Sequence, residues 1–134
     1  MVKKINHIGI AVRDLDRAIK FFANIFGAEL LWRKTFNDQK MESAMMSVGE
    51  AQFELVCTLR PNGVIGKFVE NRGEGIHHVS LEVGDIKKAL KGFEKEGLTV
   101  VEKGALGGIK FAFLHPKETF GTLFEIVEVQ SQGG

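Results

Sequence analysis

"HIGIAVRDLDRAIKFF" (residues 7–22) and "HVSLEVGDIKKALKGF" (residues 78–93) are one pattern written twice. Laid together at an offset of 71, the 16 positions hold six identities (His, Val, Asp, Ala, Lys, Phe), and five more exchange Ile, Leu and Val among themselves or Arg for Lys. Each copy changes period midway. Its first residues alternate apolar with polar or small ones, as on a strand, and apolar residues then recur at three and four, as on a helix. These are Leu15, Ala18, Ile19, Phe22 and Ile25 in the first copy, and Ile86, Ala89, Leu90 and Phe93 in the second. Asp14 and Asp85 stand at the switch, where a carboxylate accepts from the free amides of a first helical turn. Gly27 and Gly97 follow in matching places and suit the left-handed residue that ends a helix.

The offset slips by one at the helix end and is recovered later, since "FELV" at 53–56 lies on "FEIV" at 124–127. Turn residues divide the rest of each copy into three strands. The first copy has them at roughly 28–34, 41–48 and 51–58, the last two joined by a tight Gly49-Glu50 turn; the second has them at roughly 98–103, 109–114 and 122–129. The order β, α, β, β, β, twice, predicts an α+β fold of two tandem modules, about 4–58 and 76–129, in one domain spanning 1–134. Residues 59–75 read as a linker in which Ile65, Phe68 and Val69 mark one or two helical turns, and the closing "SQGG" is expected to be disordered.

Composition limits the partners. The net charge is +1 and the 18 Lys and Arg are scattered, which argues against nucleic acid and anionic membrane. No apolar run approaches the roughly 20 residues of a membrane span, so a soluble, cytoplasmic protein is expected. The lone Cys57 allows no internal disulfide and reads as a core thiol.

Alternation assigns faces. Val79, Leu81 and Val83 form the apolar set of one strand, leaving His78, Ser80 and Glu82 opposite; Ile8, Ile10 and Val12 leave His7, Gly9 and Ala11. Phe53 and Leu55 oppose Glu54, and Phe124 and Ile126 oppose Glu125. Helices cover the apolar face of each half-sheet, so His7, Glu54, His78 and Glu125 share the other, which becomes a concave interior if the half-sheets curl together. Each His precedes its Glu by 47 residues. Burying such groups uncompensated costs several kcal/mol per ionised group, a large share of a domain's ~5–15 kcal/mol of stability. A divalent cation removes that difficulty, and two imidazoles with two carboxylates suit Ni, Co, Mn, Fe or Zn. His77 precedes the repeat and points to the helix side or the strand rim.

"NHIGIAVRDLDRAIKFF", "KFVENRGEGIHHVSLEVGDIKKAL" and "KFAFLHPKETFGTLFEIVE" resemble the vicinal oxygen chelate (glyoxalase/bleomycin resistance/dioxygenase) superfamily over nearly the whole chain, and within it methylmalonyl-CoA epimerases more than glyoxalase I. The resemblance implies a cupped, barrel-like mixed sheet around a metal held by His7, Glu54, His78 and Glu125, commonly in a homodimer. It implies epimerisation of methylmalonyl-CoA or a related 2-substituted malonyl thioester through a metal-stabilised enolate, with Glu125 as one proton carrier. The alternatives it leaves are a glyoxalase-type lyase acting on a thiol adduct of methylglyoxal, and a metal-free small-molecule binding protein.

The resemblance places a second catalytic glutamate in the strand before the hairpin, where Glu42 is the acid nearby. A two-residue turn at Gly49-Glu50 pairs Met45 with Glu54, which turns Ser43 inward and Glu42 outward unless a bulge in "MESAMM" reverses them. Lys110, His115 and Lys117 are candidates for contacts with the carboxylate or the CoA. Met45, Met46, Phe111 and Phe113 read as core or pocket wall.

Overall fold

Alternation along residues 7–12 puts Ile8, Ile10 and Val12 on one side of the chain and His7, Gly9 and Ala11 on the other, and this division organises the first module. The computed structural model describes residues 1–130. The first module runs β1 (Val2–Ala11), α1 (Leu15–Phe26), β2 (Glu29–Phe36), β3 (Met41–Val48) and β4 (Ala51–Thr58), and α2 (Val64–Arg72) follows. The second runs β5 (Gly75–Val83), α3 (Ile86–Lys95), β6 (Val100–Leu106), β7 (Ile109–Leu114), a 3-10 turn (Pro116–Glu118) and β8 (Phe124–Val129). The α+β class and the doubled βαβββ order are those of the repeat. The "SQGG" segment lies outside the described residues.

The chain separates into two compact units, one of His7–His77, the other of Met1–Asn6 with the chain from His78 onward. In the first, the strand order is β2-β3-β4-β1. β3 pairs antiparallel with β2 and β4, whereas β1 runs parallel to β4, with Gly9 beside Glu54 and Ala11 beside Val56. α1 starts where the Asp14 carboxylate accepts from the Arg17 amide at 3.0 Å and ends at Gly27, whose φ of 70° is left-handed. Its apolar stripe of Ala18, Ile19, Phe22 and Ala23 lies on a buried cluster of Val12, Leu15, Ala28, Ala44, Met46, Leu55 and Cys57. Each large side chain buried there contributes about 1.5–3 kcal/mol.

α2 is more than a linker. Ile65, with Phe68 and Val69, packs on Ala11, Val56 and Met41, residues of the sheet face opposite α1. Strand β2 also departs from simple alternation: its register with β3 shifts between Leu30 and Trp32, leaving Leu31 as the extra residue of a bulge.

In the second unit the order is β5-β8-β7-β6, again with a parallel pair, β5 on β8. The repeat extends to hydrogen-bond register. Gly9 beside Glu54 becomes Ser80 beside Glu125, each position advanced by 71. The Asp85 carboxylate accepts from the Lys88 amide at 3.1 Å, and α3 covers Val83, Ala112, Leu114 and Ile126 through Ile86 and Leu90. β6 begins and ends later than its sequence pattern suggests, because Glu102 adopts φ 46° at a bulge and the hairpin turns at Gly107-Gly108, with φ 56° and 81°. Two successive positive φ values match the twist of a two-residue hairpin, which explains Gly107 and Gly108 of "GALGG". Among the described residues, no helix is long and apolar enough to cross a membrane.

Candidate metal centre

The face of β1 and β4 turned away from α1 carries His7 and Glu54. His7 is 7% exposed, and its Nε2 lies 3.6 Å from Glu54 Oε1. In the other unit, His78 is 6% exposed and its Nε2 lies 3.9 Å from Glu125 Oε1. Both separations are longer than a hydrogen bond. They suit donors directed at a common ion, since nitrogen and oxygen ligands bound at about 2.0–2.2 Å to one metal lie about 3–4 Å apart. The donor chemistry fits as well, because buried imidazole beside carboxylate is the set that borderline divalent cations prefer.

Around each pair the face is less polar than the ligands. Met45 lies opposite Glu54 and is 6% exposed, whereas Met46, its chain neighbour, belongs to the α1 core. Phe113 lies opposite Glu125, and its ring meets His78 edge-on with centroids 6.4 Å apart. Phe111 stacks edge-on against Phe113 at 6.1 Å. Ser43 and Ser80 sit on the same two faces, both at 0% exposure, and neither hydroxyl has a hydrogen-bond partner among the described residues. His77, in the first unit, packs edge-on against Phe68 with centroids 5.0 Å apart.

The β3–β4 register is unbroken from Met41 to Val48, so no bulge reverses "MESAMM". Ser43 shares the face of Glu54, and Glu42 lies opposite Cys57 on the α1 side. There the Glu42 carboxylate accepts from Arg33 Nε at 3.0 Å, and the same guanidinium donates to Asp16 of α1. The two carboxylates, Glu42 first, push the Arg33 guanidinium up, while the hydrogen bond from Arg33 holds the Asp16 carboxyl below its ordinary value. Burial, then the Glu42 charge, pushes the Cys57 thiol up. Glu42 therefore lies off the ligand-bearing face, where the resemblance had implied a proton carrier, and anchors an ion network joining α1, β2 and β3.

Lys110, a candidate for substrate contact, also lies off the ligand-bearing side, here that of Glu125. It pairs with Glu128 and shares the α3 side of β7 with Ala112, its Nζ 4.0 Å from the Glu128 carboxylate, which in turn accepts from the first amide of α3 at 2.9 Å. His115 and Lys117 are exposed just beyond β7, where His115 Nδ1 accepts from the Lys117 amide at 3.1 Å. Two residues of the ligand-bearing face have no counterpart in the sequence reading. The Leu31 bulge places Trp32 opposite Met45 and Lys34 opposite Ser43, on the side of Glu54. Unbroken alternation from Glu29 would have put both on the other side.

Residues 6–113 match the model of the Glyoxalase/Bleomycin resistance protein/Dioxygenase superfamily. The chain belongs to this superfamily. An ethylmalonyl-CoA/methylmalonyl-CoA epimerase of Cereibacter sphaeroides is 32% identical, the match covering 96% of this chain and 100% of that one. The crystal structure of methylmalonyl-CoA epimerase from Mycobacterium tuberculosis superposes with a TM-score of 0.91 at 31% identity, covering 98% of this chain and 91% of that one. A variant of the Streptomyces coelicolor methylmalonyl-CoA epimerase in complex with 2-nitronate-propionyl-CoA has a TM-score of 0.91 at 28% identity, covering 98% and 97%.

Proposed function

We propose that this superfamily member is an isomerase that epimerises methylmalonyl-CoA or a related 2-substituted malonyl thioester, with one divalent cation held by His7, Glu54, His78 and Glu125. The observation that carries the reading is the His–Glu pair repeated at one register place in both modules, 3.6 Å and 3.9 Å apart. Named epimerases among the relatives supply the substrate class.

When bound, the cation supplies Lewis-acid stabilisation of the oxyanion that develops as the C2 proton leaves, worth several kcal/mol. The chain's own part is proton transfer and exclusion of water. Glu125 takes the C2 proton from one face, and inversion is completed when a proton from solvent reaches the opposite face of the planar enolate. Phe113, opposite Glu125, and Met45, opposite Glu54, each keep water from the neighbouring carboxylate, which strengthens its charge interactions. His115 and Lys117 are available for CoA. The chain acts as a homodimer in the cytoplasm.

One observation favours a second reading. β3 carries Ser43, not a carboxylate, on the side of Glu54, so a proton is exchanged on one face of the enolate more readily than on two. That suits a glyoxalase-type isomerisation, in which a single metal-side glutamate serves both carbons. Incubating the metal-loaded protein with methylmalonyl-CoA in deuterated water, beside a methylglyoxal and thiol assay, separates them. Exchange and inversion at C2 are expected. Lyase turnover with no C2 exchange would refute the epimerase reading.

A further inference from the structure

We propose that Lys34, Trp32 and Ser43 form a subsite for an anionic oxygen group of the substrate, either its free carboxylate or a phosphate of its carrier. The proposal deepens the acyl-CoA reading and borrows its probes from it. All three residues belong to the first unit and to the side of β2 and β3 that carries Glu54, with Lys34 opposite Ser43 and Trp32 opposite Met45.

Adjacent cations on β2 have opposite fates. Arg33 points to the α1 side and is neutralised by two carboxylates, Asp16 and Glu42. Lys34 points the other way, is exposed, and among the described residues forms no ion pair. A lysine kept on an edge strand for solubility extends into water. The Lys34 ammonium instead lies over the Trp32 ring, 4.9 Å from its centroid. The ring face holds one side of the cation and leaves its remaining N–H donors for an anion.

Ser43 adds an independent sign. Its side chain is fully buried beside Lys34 in register, and its hydroxyl has no partner among the described residues. Buried hydroxyls are rarely left so, and one on the strand position paired with a lysine that no carboxylate neutralises offers a second donor for the same oxygen group. Carboxylate and phosphate both satisfy this pair of donors.

Trp32 is the chain's only tryptophan, so its emission reports directly on what reaches Lys34. The test titrates the full chain, metal-loaded, with methylmalonyl-CoA, methylmalonate and CoA, following Trp32 emission, and repeats it with Lys34→Met, Lys34→Arg and Ser43→Ala. Saturable emission changes are expected, with affinity about tenfold weaker in Lys34→Met and within about threefold of wild type in Lys34→Arg. The fragment whose binding depends on Lys34 identifies the group, methylmalonate for the carboxylate and CoA for the phosphate. Equal binding by wild type and Lys34→Met, or binding of neither fragment by the wild type, overturns the subsite. Lys34-dependent binding without C2 exchange keeps the subsite and overturns the epimerase reading alone.

Discussion

Met45 lies directly opposite Glu54 across β3 and β4, and that one pairing settles the side taken by every neighbour on β3. Since side chains alternate, Ser43 joins Met45 on the ligand-bearing side and Glu42 faces α1 with Ala44 and Met46.

Glu42→Gln should leave catalysis nearly intact. Its partner is Arg33 on the α1 side, so C2 exchange is expected within about threefold of wild type, while stability falls by about 0.5–1 kcal/mol as the exposed network loses one charge. Exchange by NMR and urea unfolding check both halves. A hundredfold loss of exchange with unchanged stability would return Glu42 to the site.

The four proposed ligands predict a metal phenotype separable from folding. His78→Ala and Glu54→Ala should each lower bound metal, by elemental analysis after dialysis at matched free metal, by about tenfold or more. Glu125→Gln should slow C2 exchange by about 10²–10⁴-fold, the range for a lost proton carrier. Wild-type metal content in both alanine variants would refute the centre.

Gly66 separates local propensity from packing. Helix propensity alone makes Gly66→Ala stabilising by about 0.5–1 kcal/mol. A Cβ there meets the main-chain oxygens of Pro61 at 2.6 Å and Arg60 at 2.9 Å, and neither is a side chain that can swing away. We expect destabilisation of about 1–3 kcal/mol in urea unfolding, with α2 loosened on Ala11 and Val56.

Cys57 should behave as an inert thiol. Burial and the Glu42 charge raise its pKa above the ordinary value of 9.0, so the folded state favours the protonated form. That contribution to stability is present below pH about 9 and is lost as pH rises through the folded value. Iodoacetamide at pH 8.5 should label the unfolded chain readily and the native protein slowly; equal rates would contradict the assignment.

Much of this was legible from residues alone, for identifiable reasons. A duplication shows itself as self-similarity, and residues 7–22 against 78–93 declare both modules. Asp14 and Asp85 mark helix starts because capping is a local interaction between neighbours in the chain. The inward turn of Ser43 followed from a two-residue hairpin, which transmits its register along the pair without other help. The placement of Lys110 was out of reach because it is set by pairing with Glu128 of β8. The covering of Ala11 and Val56 by α2 was likewise out of reach, since nothing local to residues 64–72 says which face they meet.

The sequence by itself determined the doubled βαβββ order and the identity of the His and Glu in each pair, because periodicity and repetition are properties of the chain. The tertiary structure alone decided the side of β2 on which Trp32 and Lys34 stand. One extra residue at Leu31 reverses the alternation after it, and such a register shift is settled between strands and not within one.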